Sequence, residues 1–396
     1  MKKISDNKVI MFIMVLLFFK PICFQYFESL QMIESIFVIG KILVAFFVIL
    51  DTMFSTFPRI KVNSFYFKVL AFEFVIFGVT ILKNGAVFRS FIDLISIFVL
   101  VLMITNFFLY NKKNTIKVLK NVLLFLVVLQ LFSEIIWPKG MPGDLYKNNK
   151  LNPLYFVTLD NGTTCLTSMC LATIYLDKYY FEIKGKKQFL NLFLQVSSCL
   201  FAAILSGSTT ALICTVLLFI FIILSKHKNL WIFDKWWIWV SMYILMILVI
   251  INENNIIAKL ISLITGKVGF TGRNFLWENA LSLINESFFW GYGRITEGYL
   301  KVWGGSYSSH NVIFEIMLQG GCIALILWIV CIISVLKSLK EINNYRIKRI
   351  LLSLIFIILI GLMMEATVHS TYLFLTCTLI WCFGNIDKEK YNERID

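Results

Sequence analysis

The residues best equipped for chemistry gather in one polar stretch, Asn252 to Asn311, of a chain that is otherwise strongly apolar. Gly272, Arg273, Trp277, Gly291, Gly293, Arg294, His310 and Asn311 all lie in it. Arg273 follows a glycine and heads an amphipathic run, so its guanidinium would stand beside the free N–H groups and positive end of a helix, a natural anion site. Arg294 and Lys301 add positive charge. A phosphate or pyrophosphate suits such a site, but so does a lipid headgroup or a nearby carboxylate, and spacing alone leaves the choice open. His310 is one of three histidines, with His227 and His369. A neutral imidazole there could take a proton from a sugar hydroxyl near pH 7, whereas a helix-capping or interfacial histidine is the plainer alternative. Glu315 lies about one turn further on, where it could orient the base. Ser206, Ser208 and Thr209 offer hydroxyls to a sugar or phosphate, although a tight interhelical turn explains them equally simply.

The elements that must position these residues follow from composition. Of 396 residues, 59% are hydrophobic and only 15% charged, against about 25% charged in soluble proteins. This is the balance of an integral membrane protein. The formal charge of +14 is spread in short basic runs between apolar segments, which writes membrane topology rather than a nucleic-acid surface. The nine cysteines fall in or beside apolar segments without a C-x-x-C pair, so neither a metal nor a disulfide framework is expected. Lys2, Lys3 and Lys8 precede the apolar run Val9 to Phe19. Lys20-Pro21 follows it without a small-x-small cleavage site, so this run is expected to be the first membrane helix.

A spanning helix needs about 20 mostly apolar residues, which predicts about twelve spans. They fall near residues 9–27, 34–53, 64–82, 90–110, 118–137, 160–176, 188–206, 209–225, 235–252, 311–336, 349–365 and 370–384. Lysine and arginine collect in alternate loops, which places both termini in the cytoplasm and the 252–311 loop outside. The segments 138–160 and 365–370 share that outer side. The expected fold is thus a single all-α polytopic domain, residues 1–396, with an extracytoplasmic loop between the ninth and tenth spans. Within that loop, 256–264 and 274–288 have helical amphipathic spacing. In the second run Leu276, Ala280, Leu283 and Ile284 share a stripe opposite Asn274, Glu278, Ser282 and Asn285. Such helices commonly lie in the membrane interface, where Trp277 and Trp290 would be at home. Lys41, Lys68, Glu73, Asp93, Glu134 and Glu315 fall inside spans, where ionisable groups are costly and invite either pairing or a functional role.

The series G-R-N-F-L-W (272–277), W-G-Y-G (290–293), S-H-N (309–311) and Q-G-G (319–321), with S-G-S-T-T (206–210) two spans earlier, resembles the O-antigen ligase and O-antigen polymerase (Wzy) family of bacterial envelope glycosyltransferases. The motif-bearing resemblance covers roughly residues 200–325. It implies a GT-C-like membrane enzyme of the outer face of the cytoplasmic membrane. Its substrate would be an undecaprenyl-pyrophosphate-linked oligosaccharide, with no metal or other cofactor, and its partners would include a flippase and a chain-length regulator. On that resemblance His310 is the base for the acceptor hydroxyl, and Arg273 holds the donor pyrophosphate. Arg294, Gly272, Trp277, Asn311, Glu315, Ser206, Ser208 and Thr209 would contribute to substrate binding. Thr209 stands where many members carry arginine, which removes one expected phosphate contact.

Polymerase and ligase differ in acceptor, a second lipid-linked repeat or a lipid A core. The Lys/Asn/Ile/Phe-rich composition suggests an AT-rich genome, common where lipid A is absent, and favours the polymerase. A transporter of the same lipid-linked sugar would want internal repeats and broken mid-membrane helices with paired charges; no internal repeat is present. The topology is directly testable: alkaline phosphatase fused after Lys267 should be active and the same enzyme fused after Asp396 inactive. The opposite pair of results would invert the arrangement.

Overall fold

The computed structural model describes residues 1–56, 64–142, 153–159, 162–180, 186–227, 229–251, 273–294, 309–363 and 369–392. Among them the fold is all helical, with one isolated antiparallel bridge, Leu154 to Leu159. The helices are α1 (Lys2–Asp6), α2 (Lys8–Leu16), α3 (Cys23–Tyr26), α4 (Gln31–Asp51), α5 (Ser64–Leu82), α6 (Val87–Ile136) and α7 (Thr163–Tyr180). They continue as α8 (Lys186–Leu205), α9 (Thr209–Leu224), α10 (Trp236–Ile251), α11 (Arg273–Glu286), α12 (Val312–Ser338), α13 (Tyr345–Met363) and α14 (Thr371–Asn392). Five of the helical stretches are long and apolar enough to cross a membrane. With the family evidence given below, they make this a membrane protein.

The predicted spans from 34–53 onward each coincide with helix, but the first does not form one spanning rod. Its helix α2 has 9 residues and stops at Leu16, about 13 Å of axis where about 30 Å is needed. The chain then turns through Lys20-Pro21, and Lys20 pairs with Glu34. Conversely, two predicted spans merge into the 50-residue α6, which at about 75 Å is long enough for two crossings. Asn111 breaks it, with φ −149° and ψ 79°. The Asn111 side chain accepts from the Asn114 amide at 3.1 Å and so restarts the second half.

Several polar contacts tie the helix ends together. At one end the N-terminal ammonium meets Asp51 at 2.8 Å, Asn111 donates to Asp6, and Lys120 pairs with Asp177. At that end too Arg349 clasps Asp234 through Nε (2.6 Å) and Nη2 (3.1 Å) while donating to the His227 carbonyl (2.6 Å). At the other end Arg294 pairs with Asp93, the Ala86 amide donates to the Arg294 carbonyl, and the Ile22 and Cys23 amides, at the turn between α2 and α3, donate to the Val157 and Phe156 carbonyls.

The core is organised around α7, which is buried for nearly its whole length despite its threonines and serines. Some of its hydroxyls turn back on the helix or across it: Thr173 donates to the Cys170 carbonyl at 2.9 Å, and Thr167 donates to the Thr163 carbonyl at 2.8 Å and shares a 2.7 Å hydrogen bond with Thr215 of α9, whereas those of Thr164 and Ser168 are buried without a partner among the described residues. Small side chains let neighbours approach, and Thr164 packs against Gly361 of α13. Such close, internally satisfied contacts are how helices associate where water is absent. Nearby, Gln130 of α6 is the hub of the 153–159 segment. Its carbonyl accepts from the Val157 (3.2 Å) and Thr158 (3.1 Å) amides while its Nε2 donates to Glu134 (2.9 Å). Gln130→Leu would strand both amides at about 1–3 kcal/mol each. We expect a clearly lowered unfolding temperature in detergent, and an unchanged one would remove Gln130 from this role.

Candidate functional site

The S-H-N segment is held from three directions. Ser309 is fully buried, and its amide and hydroxyl both reach Glu315 Oε2, at 3.1 and 2.9 Å. The indole N–H of Trp277 on α11 donates to the Ser309 carbonyl at 3.1 Å. Asn311 caps α12, its side-chain oxygen accepting from the Ile313 (2.9 Å) and Phe314 (3.4 Å) amides, as an N-cap residue should. Between these anchors His310 is half-buried and has φ +50°. A left-handed backbone at a non-glycine residue costs about 1–3 kcal/mol and persists only where its surroundings impose it. Here the imposing groups are its two neighbours.

Glu315 is 4% exposed. Besides Ser309 it accepts from Gln319 Nε2 at 3.2 Å. Through Ser309 these bonds fix the backbone that leads into His310. Trp277 was expected to float in the membrane interface. It is buried against Met363 and Phe314, because its N–H finds an acceptor inside. The exposed aromatics of this region are Phe288, Phe289 and Trp290. The rest of the predicted stripe is correct in phase but packs on protein: Ala280, Leu283 and Ile284 bury against Met317 and Leu318 of α12.

The W-G-Y-G and Q-G-G motifs prove to be two halves of one joint. At Gly321 (φ +64°, ψ −166°) α12 breaks, and the carbonyls released are taken up by the loop. The Tyr292 amide donates to Leu318 (2.7 Å), the Gly293 amide to Gln319 (3.0 Å), and the Cys322 amide to Phe288 (2.9 Å). A Cβ at Gly291 would stand 2.6 Å from the Leu318 oxygen, and one at Gly321 would strike the Phe289 and Trp290 backbone. Gly293 lies against Thr80 of α5, whose hydroxyl accepts from the Arg294 amide at 3.0 Å. The Tyr292 hydroxyl reaches the Leu283 carbonyl and Glu286. Burial first, then Glu286, pushes its pKa above the usual phenol value, so it remains a donor.

The other expected site residues are distributed as follows. Arg273 is the first residue of α11; Gly272, Lys301 and the 256–264 run lie outside the described residues. Arg294 carries an ion pair with Asp93, so it meets the carboxylate alternative left open by spacing. Ser206, Ser208 and Thr209 form the turn between α8 and α9. Ser206 bonds back to Ala203, Gly207 has φ +72°, and Ser208 caps α9 through the Ala211 amide. The sequence marks Ser309 and Gln319 only as members of the S-H-N and Q-G-G motifs and gives Thr80 no signal, because their roles depend on tertiary contacts. Asp93 and Glu73 carried the signal of charge within a span. Glu73 proves to lie 2.8 Å from His369.

Among the described residues the class of protein is an all-helical bundle with membrane-length apolar helices, in which a histidine is held at the head of α12 between Ser309, anchored by a buried carboxylate, and the Asn311 helix cap. Residues 194–329, about a third of the chain, match the family model described as O-Antigen ligase. The match takes in the S-G-S-T-T, G-R-N-F-L-W, W-G-Y-G, S-H-N and Q-G-G segments. No curated protein and no solved structure matches the chain.

Glu315 can be tested as the anchor of this site. Glu315→Ala leaves the Ser309 and Gln319 donors unpaired, at about 1–3 kcal/mol each, whereas Glu315→Gln keeps one acceptor oxygen. Unfolding in detergent should rank wild type above Gln above Ala; equal midpoints would remove the carboxylate from that role.

Proposed function

We propose that this protein is a metal-independent glycosyltransferase of the outer face of the bacterial cytoplasmic membrane. It transfers a growing glycan from undecaprenyl pyrophosphate to the non-reducing end of the next lipid-linked repeat, which makes it a polysaccharide polymerase. The observation that carries the reading is the seating of His310, with an imposed left-handed backbone at the head of α12, inside the segment that matches the O-antigen ligase family. Arg273, at the first turn of α11, is the natural group for the donor pyrophosphate, because guanidinium and helix N-terminus act together on anionic oxygens.

In the proposed reaction His310 takes the proton from the attacking hydroxyl as the anomeric carbon leaves the pyrophosphate. Fixed positive charge at Arg273 and the α11 N-terminus stabilises the charge that develops there, a role that requires no divalent ion. In-line attack inverts the anomeric centre. Exposed Phe288, Phe289 and Trp290 beside the loop offer an apolar flank to the polyprenyl chain. The basic excess of the loops puts both termini in the cytoplasm. A flippase that delivers the repeat unit and a chain-length regulator are the partners this activity calls for.

The deciding experiment is elongation by purified protein in detergent, with a synthetic undecaprenyl-pyrophosphate repeat unit and EDTA. A product ladder should form with wild type and fall by about 10²-fold or more in His310→Ala and Arg273→Ala. Transfer to an added lipid A core without a ladder would establish a ligase in place of the polymerase. No transfer with several donors would bring forward a transporter of the same lipid.

A further inference from the structure

The basic side chains at the end of the bundle that holds Arg349 do not all have counter-charges. Lys120 is paired with Asp177, Arg349 with Asp234 and the N-terminal ammonium with Asp51. Arg346, Lys178 and Lys226 gather at the same end without a carboxylate partner among the described residues. Arg346 is nonetheless held in place. Its guanidinium carbon lies 5.7 Å from the Tyr179 ring centre and 5.6 Å from that of Tyr345, and its Nε donates to the Tyr345 hydroxyl at 3.1 Å. That hydroxyl reaches the Lys226 carbonyl at 3.5 Å, which brings the turn after α9 to the same place. Arg346 is exposed, and its two terminal nitrogens have no acceptor among the described residues.

Tying the helix ends together does not account for these three cations. Arg349 already does so, with both carboxylate oxygens of Asp234 and the Ser225 and His227 carbonyls as its acceptors. Asn344 caps α13 separately, its side chain accepting from the Arg346 and Ile347 amides. Collecting like charges without a counter-charge is unfavourable, and Lys178 registers it: burial first, then the charge of Lys226, lower its pKa from the usual lysine value. An anion seated among them would remove that repulsion. A phosphate would also suit the flat fork of arginine, which can engage two oxygens at once.

Two features select the source of that phosphate. The cations stand where α7 and α9 end and α13 begins, with Tyr179 and Tyr345 beside them and Trp237 exposed at the start of α10; aromatic rings of this kind mark the headgroup level of a bilayer. Leu212, Val216, Ile220 and Ile223 are exposed on α9, and their spacing puts them on one face of the helix. Lys226 follows one turn after Ile223, its amide bonded to the Ile223 carbonyl. Acyl chains laid along this stripe would deliver their phosphate to Lys226. We propose that Arg346, Lys226 and Lys178 bind the phosphate of an anionic phospholipid whose chains lie along α9. The site is at the far end of the bundle from His310 and stands independently of the glycosyltransferase reading.

The test is native mass spectrometry of the detergent-solubilised protein with phosphatidylglycerol and phosphatidylcholine of matched chains. Wild type should retain the anionic lipid about tenfold more than the zwitterionic one. Combining Arg346→Gln with Lys226→Gln should abolish that preference. Lys2→Gln with Lys3→Gln, which removes the same charge from exposed positions at the same end, should preserve it. Arg346→Lys keeps the charge without the fork and should fall between, and it replaces the double variant if that does not fold; full wild-type preference in Arg346→Lys removes the guanidinium from the site. No preference in wild type overturns the proposal, and so does an equal loss in the charge-matched control, which would reduce the effect to general surface charge. Glycerol phosphate or inorganic phosphate in large excess should leave the lipid bound; displacement by either would overturn the lipid assignment in favour of a soluble phosphate. Binding of an acidic peptide with neither lipid retained would overturn it in favour of a protein-docking face.

Discussion

The carbonyls released where α12 breaks at Gly321 are the constraint on which the site depends. A helix at membrane depth cannot leave its backbone oxygens to water, so an interruption survives only where protein supplies replacement donors. Here the donors are the amides of Tyr292 and Gly293, which bond Leu318 and Gln319. The same docking fixes the exit of α11, seats its apolar stripe on α12, and so sets the ring of Trp277 over Ser309. The break therefore does not weaken the helix at random. It creates the surface to which the outer loop is fastened, and His310 takes its position from that fastening.

A second layer of the same logic governs the charges. Most of the ionisable residues that fall within apolar segments are neutralised or hydrogen-bonded at short range: Glu315 by Ser309 and Gln319, Glu134 by Gln130, Lys68 by Ser334, Asp93 by Arg294. In a low-dielectric interior an unpaired charge costs several kcal/mol, and a pair recovers that cost only with good geometry and extra hydrogen bonds. Glu315 meets the condition most fully, with both oxygens occupied by donors. That full occupancy makes it a fixed anchor, unlike a group that must gain and lose a proton during turnover.

How much of this the sequence disclosed follows from which interactions are local. Apolar runs are local, so α4, α5 and α7 to α14 coincide with the predicted helices. The phase of the α11 stripe was likewise legible from residue spacing. The first predicted span misled because hydropathy averages over Lys20-Pro21, whereas the backbone does not. Trp277 misled because a tryptophan beside polar residues fits an interface until its N–H is seen to have an internal acceptor. The partner of Arg294 stayed open between an anionic ligand and a carboxylate because Asp93 is far away in sequence and enters only through the packing of α5, α6 and the loop. The glycine motifs were visible as motifs, but nothing local says that Gly291 and Gly321 lie against each other's backbones.

That last point bears on what the family-matched segment can do by itself. Residues 194–329 contain His310, Arg273, Trp277 and Glu315, yet several of the contacts that place them come from outside. The Thr80 hydroxyl accepts from the Arg294 amide, Asp93 pairs with its guanidinium, the Ala86 amide donates to its carbonyl, and Met363 backs Trp277. A segment cut at the limits of the match would keep every motif and lose the α5, α6 and α13 surfaces against which the loop is set. The left-handed backbone at His310 costs free energy that only a complete set of anchors offsets. The motif residues thus carry the chemistry, while the geometry that makes it available is a property of the whole bundle.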